Sequence, residues 1–319
     1  MRVLVTGASG FIGSASVRML QVRGYEAIAA VRRQTNNLPD KVRCCPVADI
    51  EAGTDWRAAL DNIDTVVHAA ARAHIVRDVC AEPLKEYRKV NVDGSLRLAR
   101  QAAEAGVRRL IFISSIKVNG EQTVAGAPFC ANSEPAPRDA YGISKLEAEQ
   151  GLQALAAETG MEVVIIRPPL VYGPGVKANF LSMMRWLDRG IPLPLGAIDN
   201  LRSLMALDNL VDLIVTCISH PAAVNQVFLA SDGEDLSTTE LLLRMGMALG
   251  QPARLLPIPS TWLERGAALI GRSGLAQRLC GSLQVDIAKT RTLLGWSPPV
   301  AVSEALEQTA RHYLKQTNL

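Results

Sequence analysis

Few of the 319 residues are aromatic: Phe, Trp and Tyr together make up 4% of the chain. Proteins that bind single-stranded nucleic acid stack bases on aromatic side chains, so this scarcity argues against such a platform. An excess of one charge is also lacking, since 34 basic and 31 acidic residues leave a formal net charge of +3 without a long basic run. We therefore expect no nucleic-acid partner.

Long apolar runs are missing as well, because none approaches the ~18 residues that suggest a membrane span. The six cysteines stand at 44, 45, 80, 130, 217 and 280, without a C-x-x-C pair and without a histidine at metal-ligand spacing. We expect reduced, mostly buried thiols and no metal site. The glycine motif described below begins at residue 7 and leaves no room for a signal peptide, so we expect a cytoplasmic protein.

Short β-branched runs alternate with longer helical patterns in the first half of the chain. The predicted strands span residues 2–6, 26–31, 42–47, 65–68, 110–114 and 162–167. Helical patterns at 13–23 and 94–105 end at a glycine, which is a usual stop signal. This alternation predicts an α/β fold, a doubly wound parallel Rossmann sheet.

The pattern changes after residue 167, where prolines and glycines cluster in RPPLVYGPG (167–175) and GIPLPLG (190–196). Loops and separate helices follow, with one predicted strand at 226–229. We expect a dinucleotide-binding Rossmann domain over 1–167, which also receives segments near 203–231. A smaller substrate-binding region over 168–319 would cover the carboxyl edge of the sheet, where ligands bind in such folds.

The stretch TGASGFIG at 6–13 places three glycines three apart, directly after the first predicted strand. Gly7 lets the chain turn sharply, Gly10 leaves room for a pyrophosphate, and Gly13 allows close helix–strand packing. The helix start that follows offers unpaired N–H groups to phosphates. We interpret the stretch as a variant dinucleotide-binding fingerprint, with one extra residue in its first gap; the alternative is a tight turn without a ligand.

Arg32 and Arg33 end the second predicted strand, where a fold specific for NAD normally has an acid for the ribose 2′-hydroxyl. An acid repels the 2′-phosphate of NADP, whereas a guanidinium pairs with it bidentately. The pair therefore favours NADP(H), with NAD(H) as the alternative, unless both arginines are ordinary surface residues. Asp49, after the third strand, either reaches the adenine or is an exposed loop acid.

The segment DAYGISKLEAE places Tyr141 and Lys145 four residues apart at the start of a predicted helix, so both lie on one face. A free tyrosine has a pKa of ~10, and a nearby ammonium together with a positively charged nicotinamide lowers that pKa. Ser115 follows the buried strand 110–114 and is placed to hydrogen-bond a substrate oxygen beside Tyr141. We predict that these three residues are catalytic; the alternative is a structural aromatic with a solvated lysine, and for Ser114 a hydroxyl bonded to backbone.

Six motifs occur in an order that resembles the extended short-chain dehydrogenase/reductase family: TGASGFIG, the HAAA of 68–71, Asn91 in KVNVDGS, the serines 114–115, YGISK and RPPLVYGPG. The chain is most similar to UDP-sugar 4-epimerases and the related 4-ketoreductases within that family. The resemblance implies that Tyr141 is the acid/base, that Lys145 holds the cofactor ribose, and that Ser115 binds the reacting oxygen. The predicted cofactor-binding residues are Gly7, Gly10, Phe11, Ile12, Gly13, Arg32, Arg33, Asp49, Ile50, Ala69, Ala70, Ala71, Asn91, Ser114, Tyr141, Lys145, Pro168 and Val171.

The second half of the chain resembles the sugar-nucleotide site of the family. The resemblance implies that Asn179 contacts the diphosphate, that the loop 192–196 borders the uracil, and that Arg202 pairs with a phosphate. The helices at 86–105 and 140–157 pair into a four-helix dimer in many relatives, which implies a homodimer. The predicted substrate-binding residues are Ser115, Lys117, Tyr141, Asn179, Pro194, Leu195, Arg202 and Arg278.

The chain departs from the family pattern at three places. The Arg32–Arg33 pair replaces an acid. Asn119 stands where a tyrosine is usual, with Lys117 in the predicted substrate pocket. Near the C-terminus, CGSLQVD (280–286) replaces an expected arginine and aromatic; its small residues Gly281 and Ser282 leave room for a 2-acetamido group, and Arg278 is placed to take over a phosphate contact.

The first hypothesis is therefore an NADPH-dependent reductase of a UDP-4-keto sugar, such as UDP-2-acetamido-2,6-dideoxy-hexos-4-ulose, in surface polysaccharide synthesis. The alternative is an NAD-dependent UDP-hexose 4-epimerase acting on UDP-glucose or UDP-GlcNAc, which needs the same catalytic residues. A hypothesis of another class is a non-catalytic NADP-sensing regulator.

Overall fold

The computed structural model describes residues 1–33, 37–40, 42–73, 82–124, 126–269 and 273–317. Its strands are β1 (Arg2–Thr6), β2 (Glu26–Val31), β3 (Arg43–Pro46), β4 (Thr65–His68), β5 (Arg109–Ile113), β6 (Glu162–Arg167), β7 (Leu170–Tyr172), β8 (Arg202–Ala206), β9 (Val227–Leu229) and β10 (Asp235–Leu236). Its α-helices are α1 (Phe11–Val22), α2 (Arg57–Leu60), α3 (Pro83–Arg88), α4 (Ser95–Glu104), α5 (Ala140–Thr159), α6 (Ala178–Asp188), α7 (Leu207–Ser219), α8 (Thr238–Ala248), α9 (Ser260–Leu269), α10 (Ser273–Cys280), α11 (Ala288–Leu294) and α12 (Val302–Thr317). A π-helical segment, Lys89–Gly94, leads directly into α4, and short 3₁₀ turns lie at Ile116–Val118 and Pro221–Ala223.

Seven strands form one parallel sheet in the order β3-β2-β1-β4-β5-β6-β9. The chain adds strands on one side of β1 as far as β3 and then crosses to add β4 on the other side. Such a reversal opens a crevice at the carboxyl ends of the strands, where doubly wound folds bind their ligands. The predicted parallel Rossmann sheet is confirmed, and only the bounds of β3, β5 and β9 differ by a residue from the prediction.

The central strands are buried on both faces, as their near-continuous apolar runs indicate. Leu4, Leu110 and Phe112 point to one side, into a core that α4 and α5 cover. Val5 and Ile111 point to the other side, into a core that α1 and α7 cover. Because alternate residues of β1 and β5 enter different cores, each strand is held between two layers of helices.

A second, three-stranded sheet lies in the order β10-β8-β7, with β7 parallel and β10 antiparallel to β8. The sequence analysis predicts only loops and helices here, because these strands have two to five residues and β7 directly follows Pro168 and Pro169. Helices α6, α8 and α12 pack around a separate core that includes Phe180, Leu242 and Leu306. The chain returns to the large sheet through α7, which packs on α1, and through β9, which pairs with β6.

The cysteines depart from the expectation of mostly buried thiols. The five described ones are free, yet only Cys217 is buried. Cys44 and Cys45 lie in β3, the edge strand of the sheet, where one side of the strand has no neighbouring strand to cover it. Cys80 lies outside the described residues. Within the described part of the chain, no helix has the length and apolarity that crossing a bilayer requires.

Candidate active site

The glycine turn between β1 and α1 is built on close backbone contacts. Gly7 has φ +65°, and a Cβ there would lie 2.8 Å from both Cα and N of Ala70. A Cβ on Gly13 would meet the Gly7 carbonyl, with its carbon 2.6 Å away. The turn closes through a 2.8 Å hydrogen bond from the Gly10 N–H to the Gly7 carbonyl oxygen. Gly7 and Gly13 therefore bring the helix, the turn and the Ala69–Ala70 backbone closer together than any side chain allows.

The start of α1 fits the pyrophosphate of a dinucleotide. Gly10 is its N-cap in extended conformation, no side chain caps the helix, and the first turn carries no acid. The first intrahelical bond is donated by Ser14, so the N–H groups of the preceding turn are not used within the helix. Phe11 and Ile12 are partly buried behind them. The start of α1 therefore offers the positive end of the helix dipole to a phosphate, with no carboxylate in its first turn to compete; we call this turn the phosphate cradle.

A cavity of about 800 Å³ opens beside this turn, between α1, α6 and α12. Gly10, Phe11, Lys177 and His312 are among its lining residues. The cavity borders the phosphate cradle but does not extend to Tyr141 or Lys145.

A buried hydrogen-bonded chain fixes the small residues that follow β4. The Nδ1 of His68 lies 2.6 Å from Thr6 Oγ1, and its Nε2 lies 2.8 Å from Ser95 Oγ. Burial, together with the positive charge of Lys145, lowers the pKa of His68 to about 3, so the ring is neutral. The Ala70 N–H donates to Thr6 Oγ1 at 3.3 Å. Ala69 and Ala70 thus lie against the glycine turn, and the sequence analysis assigns no individual role to the Thr6, His68 and Ser95 side chains of this chain.

The residues predicted at the adenosine end of the cofactor lie together after β2 and β3. Arg32 Nη1 lies 2.8 Å from Asp49 Oδ1, and both side chains are about three-quarters exposed, at 73% and 77%. The hydrogen bond and charge of Arg32 hold the pKa of Asp49 below its usual range. Arg33 is exposed, and Ile50 packs closely against Gly94.

Asn91 lies buried in the π-helical segment and uses its amide to join two parts of the site. Its Oδ1 accepts from the Arg72 N–H at 2.8 Å, and its Nδ2 donates to the Arg72 carbonyl at 3.1 Å. The same Nδ2 donates to Ser144 Oγ at 3.0 Å. Asn91 therefore fixes the loop after β4 relative to the helix that carries Tyr141 and Lys145.

The three predicted catalytic side chains meet at the carboxyl end of β5. Helix α5 presents Tyr141 and Lys145 on one face, and Ser115 follows β5 at the start of a 3₁₀ turn. Tyr141 is mostly buried and shares a hydrogen bond with Ser115. The Lys145 ammonium is buried, donates to the Ile113 carbonyl at 2.8 Å and lies 4.3 Å from the centroid of the Phe112 ring.

Burial dominates the proton affinities of this group. It raises the pKa of Tyr141 well above the ordinary value, the charge of Asp139 adds to that, and the hydrogen bond with Ser115 opposes it. Burial also lowers the pKa of Lys145 to about 7, against the opposing charge of Glu149. A lowered tyrosine pKa is expected from the sequence, but in the protein alone burial raises it, and the charges that act on it are those of Asp139 and Tyr87 rather than that of Lys145.

A buried ion pair lies close to the three predicted catalytic residues. Arg167, at the end of β6, donates its Nε to both oxygens of Glu149 at 3.0 and 3.1 Å. Its Nη1 donates to Asn119 Oδ1 at 3.1 Å, and the Ser114 hydroxyl donates to Glu149. The Ser114 hydroxyl thus donates to a carboxylate, rather than to the backbone as one of the two sequence interpretations has it. The sequence feature that could have revealed this pair is the presence of a glutamate and an arginine in otherwise apolar segments, because a buried charge needs a partner.

Lys117 lies just beyond Ser115 and pairs with the acid at the start of α5. Its ammonium forms an ion pair with Asp139 and lies 3.9 Å from Glu121. Asp139 is the N-cap of α5, and its Oδ1 accepts from the Gly142 N–H at 2.7 Å. Asn119, in place of the usual tyrosine, is buried and its Nδ2 has no hydrogen-bond partner among the described residues.

Pro168 lies beside the Ser115 turn, and Val171 follows it in β7. The Pro168 carbonyl accepts from the Ile116 N–H at 2.9 Å, which joins the segment after β6 to the segment after β5. Val171 is partly buried in β7, paired with Met205 of β8. Pro168 therefore borders the region that contains Ser115.

The predicted substrate-binding residues of the second region are only partly brought together. Arg202 Nη1 donates to the carbonyls of Arg278 and Gly281, each at 2.9 Å, and burial lowers the pKa of Arg202. The Arg278 side chain is exposed. Asn179 is exposed on the first turn of α6, Pro194 is exposed in the loop 190–196, and Leu195 is buried in the core of the second region.

The expected free space at Gly281 is already taken. A Cβ on Gly281 would meet the amide of Gln122 and would lie 2.6 Å from the Gln277 carbonyl oxygen. The Ser282 hydroxyl accepts from the Leu201 N–H at 3.1 Å. The small residues at 281–282 serve this packing, and the structure gives no support to room for a 2-acetamido group there.

Residues 3–230 match the model of the NAD dependent epimerase/dehydratase family. The chain is 51% identical over 318 residues to UDP-glucose 4-epimerase of Vibrio cholerae, covering 99% of this chain and 96% of that protein. A crystal structure of UDP-glucose 4-epimerase from Thermotoga maritima superposes with a TM-score of 0.79 at 23% identity, covering 99% and 100% of the two chains, which shows the shared fold. The structure of MoeE5 in complex with UDP-glucose and NAD has a TM-score of 0.77 at 25% identity and covers 100% of both chains. The chain therefore belongs to the NAD-dependent epimerase/dehydratase family and is an enzyme of the extended short-chain dehydrogenase/reductase type.

Proposed function

We propose that the protein is an NAD-dependent UDP-hexose 4-epimerase that interconverts UDP-glucose and its C4 epimer, UDP-galactose. One observation carries the proposal: the 51% identity to UDP-glucose 4-epimerase of Vibrio cholerae extends over almost the full length of both chains. The meeting of Ser115, Tyr141 and Lys145 at the sheet edge supports it, because an epimerase needs a proton acceptor beside the reacting hydroxyl. The epimerase alternative is thus better supported than the reductase hypothesis.

The cofactor site fits NAD through backbone geometry. The turn from Gly7 to Gly13 would hold the pyrophosphate, Ala69 to Ala71 would line the dinucleotide, and Lys145 would hold the nicotinamide ribose. When bound, NAD would supply the hydride chemistry at C4 of the sugar: one hydride would be removed from one face and returned to the other, with no net oxidation.

Tyr141 and Ser115 handle the proton of the C4 hydroxyl. Ser115 orients this hydroxyl, and Tyr141 takes up its proton as the C4–H bond breaks. Tyr141 returns the proton after the 4-keto sugar has rotated to present its opposite face. Tyr141 must be ionised to begin this cycle. A positively charged nicotinamide near the phenol would favour this ionisation, against the burial that raises the tyrosine pKa.

The second region would hold the nucleotide part of the substrate. Arg202 has one guanidinium nitrogen bound to backbone carbonyls, which orients the group and leaves the remaining nitrogens to face a diphosphate. The family resemblance adds Asn179 at the diphosphate and Pro194 with Leu195 beside the uracil.

An NADPH-dependent UDP-4-keto-sugar reductase is the second candidate, favoured by one observation. Arg32 and Arg33 are exposed at the end of β2, a position from which a guanidinium meets a ribose 2′-phosphate. The ion pair of Arg32 with Asp49 would have to open for that contact. The structure of MoeE5, 25% identical to this chain, contains NAD, and this supports NAD(H) over NADP(H) for the family site.

We also propose that the protein forms a homodimer through α3, α4 and α5. Leu84, Val92, Leu96 and Leu146 are only partly covered on these packed helices, and Arg88 pairs with Glu147 at 2.6 Å on the same side. Two copies of this face would form a four-helix interface. Sedimentation should give a dimer that Leu146→Glu converts to a monomer; a monomeric wild type would contradict the proposal.

The cofactor and the reaction are tested on the purified protein. Heating should release stoichiometric NAD, and UDP-glucose, UDP-galactose or UDP-GlcNAc should be converted to a C4 epimer without a lasting absorbance change at the NADH band. Tyr141→Phe is the matched control and should retain the cofactor without conversion. Stoichiometric consumption of NADPH by a UDP-4-keto sugar, without epimer formation, would establish the reductase instead. Binding of NADP without either reaction would leave the regulator hypothesis.

A further inference from the structure

The N-terminus of the catalytic helix brings a carboxylate close to the catalytic tyrosine. Asp139 is the N-cap of α5, and its side chain accepts the Gly142 N–H at 2.7 Å. Tyr141 follows two residues later, and the negative charge of Asp139 raises the pKa of Tyr141 in addition to burial. The residue that starts the helix therefore also opposes ionisation of the acid/base.

Lys117 lies where it offsets that charge. Its ammonium forms an ion pair with Asp139, and the side chains are about a quarter exposed, at 26% and 24%, so solvent screens the pair only in part. The Lys117 backbone packs on the same helical turn, because a Cβ on Gly142 would lie 2.8 Å from the Lys117 carbonyl oxygen. The Lys117 N–H donates to Ser115 Oγ at 3.3 Å, which joins the lysine to the residue that hydrogen-bonds Tyr141.

The other groups around Tyr141 do not replace this ammonium. Lys145, one helical turn away, has a pKa lowered to about 7 by its own burial and donates to the Ile113 carbonyl. Tyr87 contacts the Tyr141 ring edge-on at 6.1 Å between centroids, and Arg72 lies over the Tyr87 ring at 5.5 Å from its centroid. The described titratable and charged groups that surround Tyr141 and Lys117 are Asp139 and Lys145 of α5, Tyr87 of α3, Arg72 after β4, and Glu121 after the Ser115 turn.

We propose that Lys117 is a positioning residue that neutralises the helix-cap carboxylate of Asp139 and thereby allows Tyr141 to give up its proton during the reaction. The inference rests on the acid/base role of Tyr141 under the proposed function. Lys117 acts through Asp139 and need not touch the sugar. The Asp139 carboxylate disfavours ionisation of the nearby Tyr141, and the Lys117 ammonium compensates for this effect. The carboxylate can therefore still cap the helix.

Three charge variants separate this role from helix capping. Lys117→Met removes the ammonium and keeps the length of the side chain. Asp139→Asn removes the carboxylate charge but keeps an oxygen that can accept the Gly142 N–H, so the cap is retained. The double variant removes both charges. Glu121→Gln is the matched control, because Glu121 is also an acid near Lys117 but caps no catalytic helix.

The readout is the tyrosinate absorbance of Tyr141, titrated with saturating NAD and taken as the difference from Tyr141→Phe. Lys117→Met should move the midpoint upward by roughly half a unit to one unit, the effect of one partly screened charge at short range in a protein. Asp139→Asn should move it downward, and the double variant should return close to the wild type. Glu121→Gln should leave the midpoint unchanged, and Lys117→Arg, which keeps the positive charge, should have the midpoint of the wild type.

The pH profile of kcat provides the second readout, and its tyrosine limb should move with the absorbance midpoint. A midpoint that is the same in Lys117→Met and wild type would overturn the inference, as would an equal upward shift in Asp139→Asn. Because the absorbance titration needs no turnover, shifted midpoints in a protein without epimerase activity would contradict the proposed function and keep the inference.

Discussion

Gly7→Ala and Gly24→Ala form a matched pair that isolates the close approach in the cofactor turn. Both glycines have left-handed backbone, with φ +65° and +78°. An alanine in that conformation costs about 1–2 kcal/mol at either site. At Gly24 a Cβ meets no described atom within 4 Å outside its chain neighbours, so Gly24→Ala is destabilised by backbone strain alone.

Gly7→Ala has an additional cost because the new Cβ would lie 2.8 Å from two backbone atoms of Ala70. Backbone cannot swing aside as a flexible side chain does, so the Ala69–Ala70 segment or the turn must shift. Overpacking of this kind costs about 1–3 kcal/mol. We therefore expect a total loss of about 2–5 kcal/mol for Gly7→Ala, larger than the loss for Gly24→Ala.

Urea unfolding measures the two stabilities, and calorimetric titration measures NAD binding. Gly24→Ala should bind NAD as the wild type does, whereas Gly7→Ala should bind it at least about tenfold more weakly, since a misplacement worth 1.4 kcal/mol is a factor of ten. Equal destabilisation of the two variants, with unchanged NAD affinity in both, would refute the reasoning about the Ala70 contact.

Three further variants test the electrostatics of the site. Tyr141→Phe should lower kcat by about 10²–10⁴ in a steady-state epimerase assay while NAD binding is retained, because it removes a proton-transfer group. Glu149→Gln should lower the free energy of unfolding, measured in urea, by about 3–5 kcal/mol, because it leaves the Arg167 charge buried without its counter-charge. As a control, Asp55→Asn at the exposed pair with Arg57 should cause no measurable change in that free energy. His68 has a folded pKa of about 3 against ~6.5 in the unfolded chain, so the unfolded chain binds the extra proton between these values and stability falls as the pH drops from about 6.5 towards 3. His68→Gln should show a pH dependence smaller by one proton in that window when unfolding is measured at several pH values; an unchanged slope would contradict the neutral buried ring.

Local patterns are sufficient to predict the central sheet, because each core strand is a short run of mostly apolar residues. The strands β7 and β8 were missed for the opposite reason, since their stability comes from pairing with each other over some thirty intervening residues. The edge strand β3 was found, but its exposed cysteines were not foreseen, because the position of a strand within a sheet is a property of the whole topology.

The meeting of the trio Tyr141, Lys145 and Ser115 was predictable because Tyr141 and Lys145 are four residues apart and Ser115 follows a recognisable strand. The partners that support the trio were not predictable in this way. Arg167 and Glu149 are 18 residues apart, and Lys117 and Asp139 are 22 apart, so only the folded chain brings each pair together. The direction of the tyrosine pKa also depends on burial, which spacing does not report.

Isotope retention tests the epimerase proposal most directly. UDP-galactose carrying deuterium at C4 is incubated with the purified protein and NAD, and the UDP-glucose that forms is analysed by NMR and mass spectrometry. The account predicts conversion with the deuterium retained at C4 and no net reduction of cofactor, because the hydride removed from a sugar is returned to the same sugar. Loss of the deuterium, or no conversion by a protein that instead oxidises NADPH with a UDP-4-keto sugar, would contradict it.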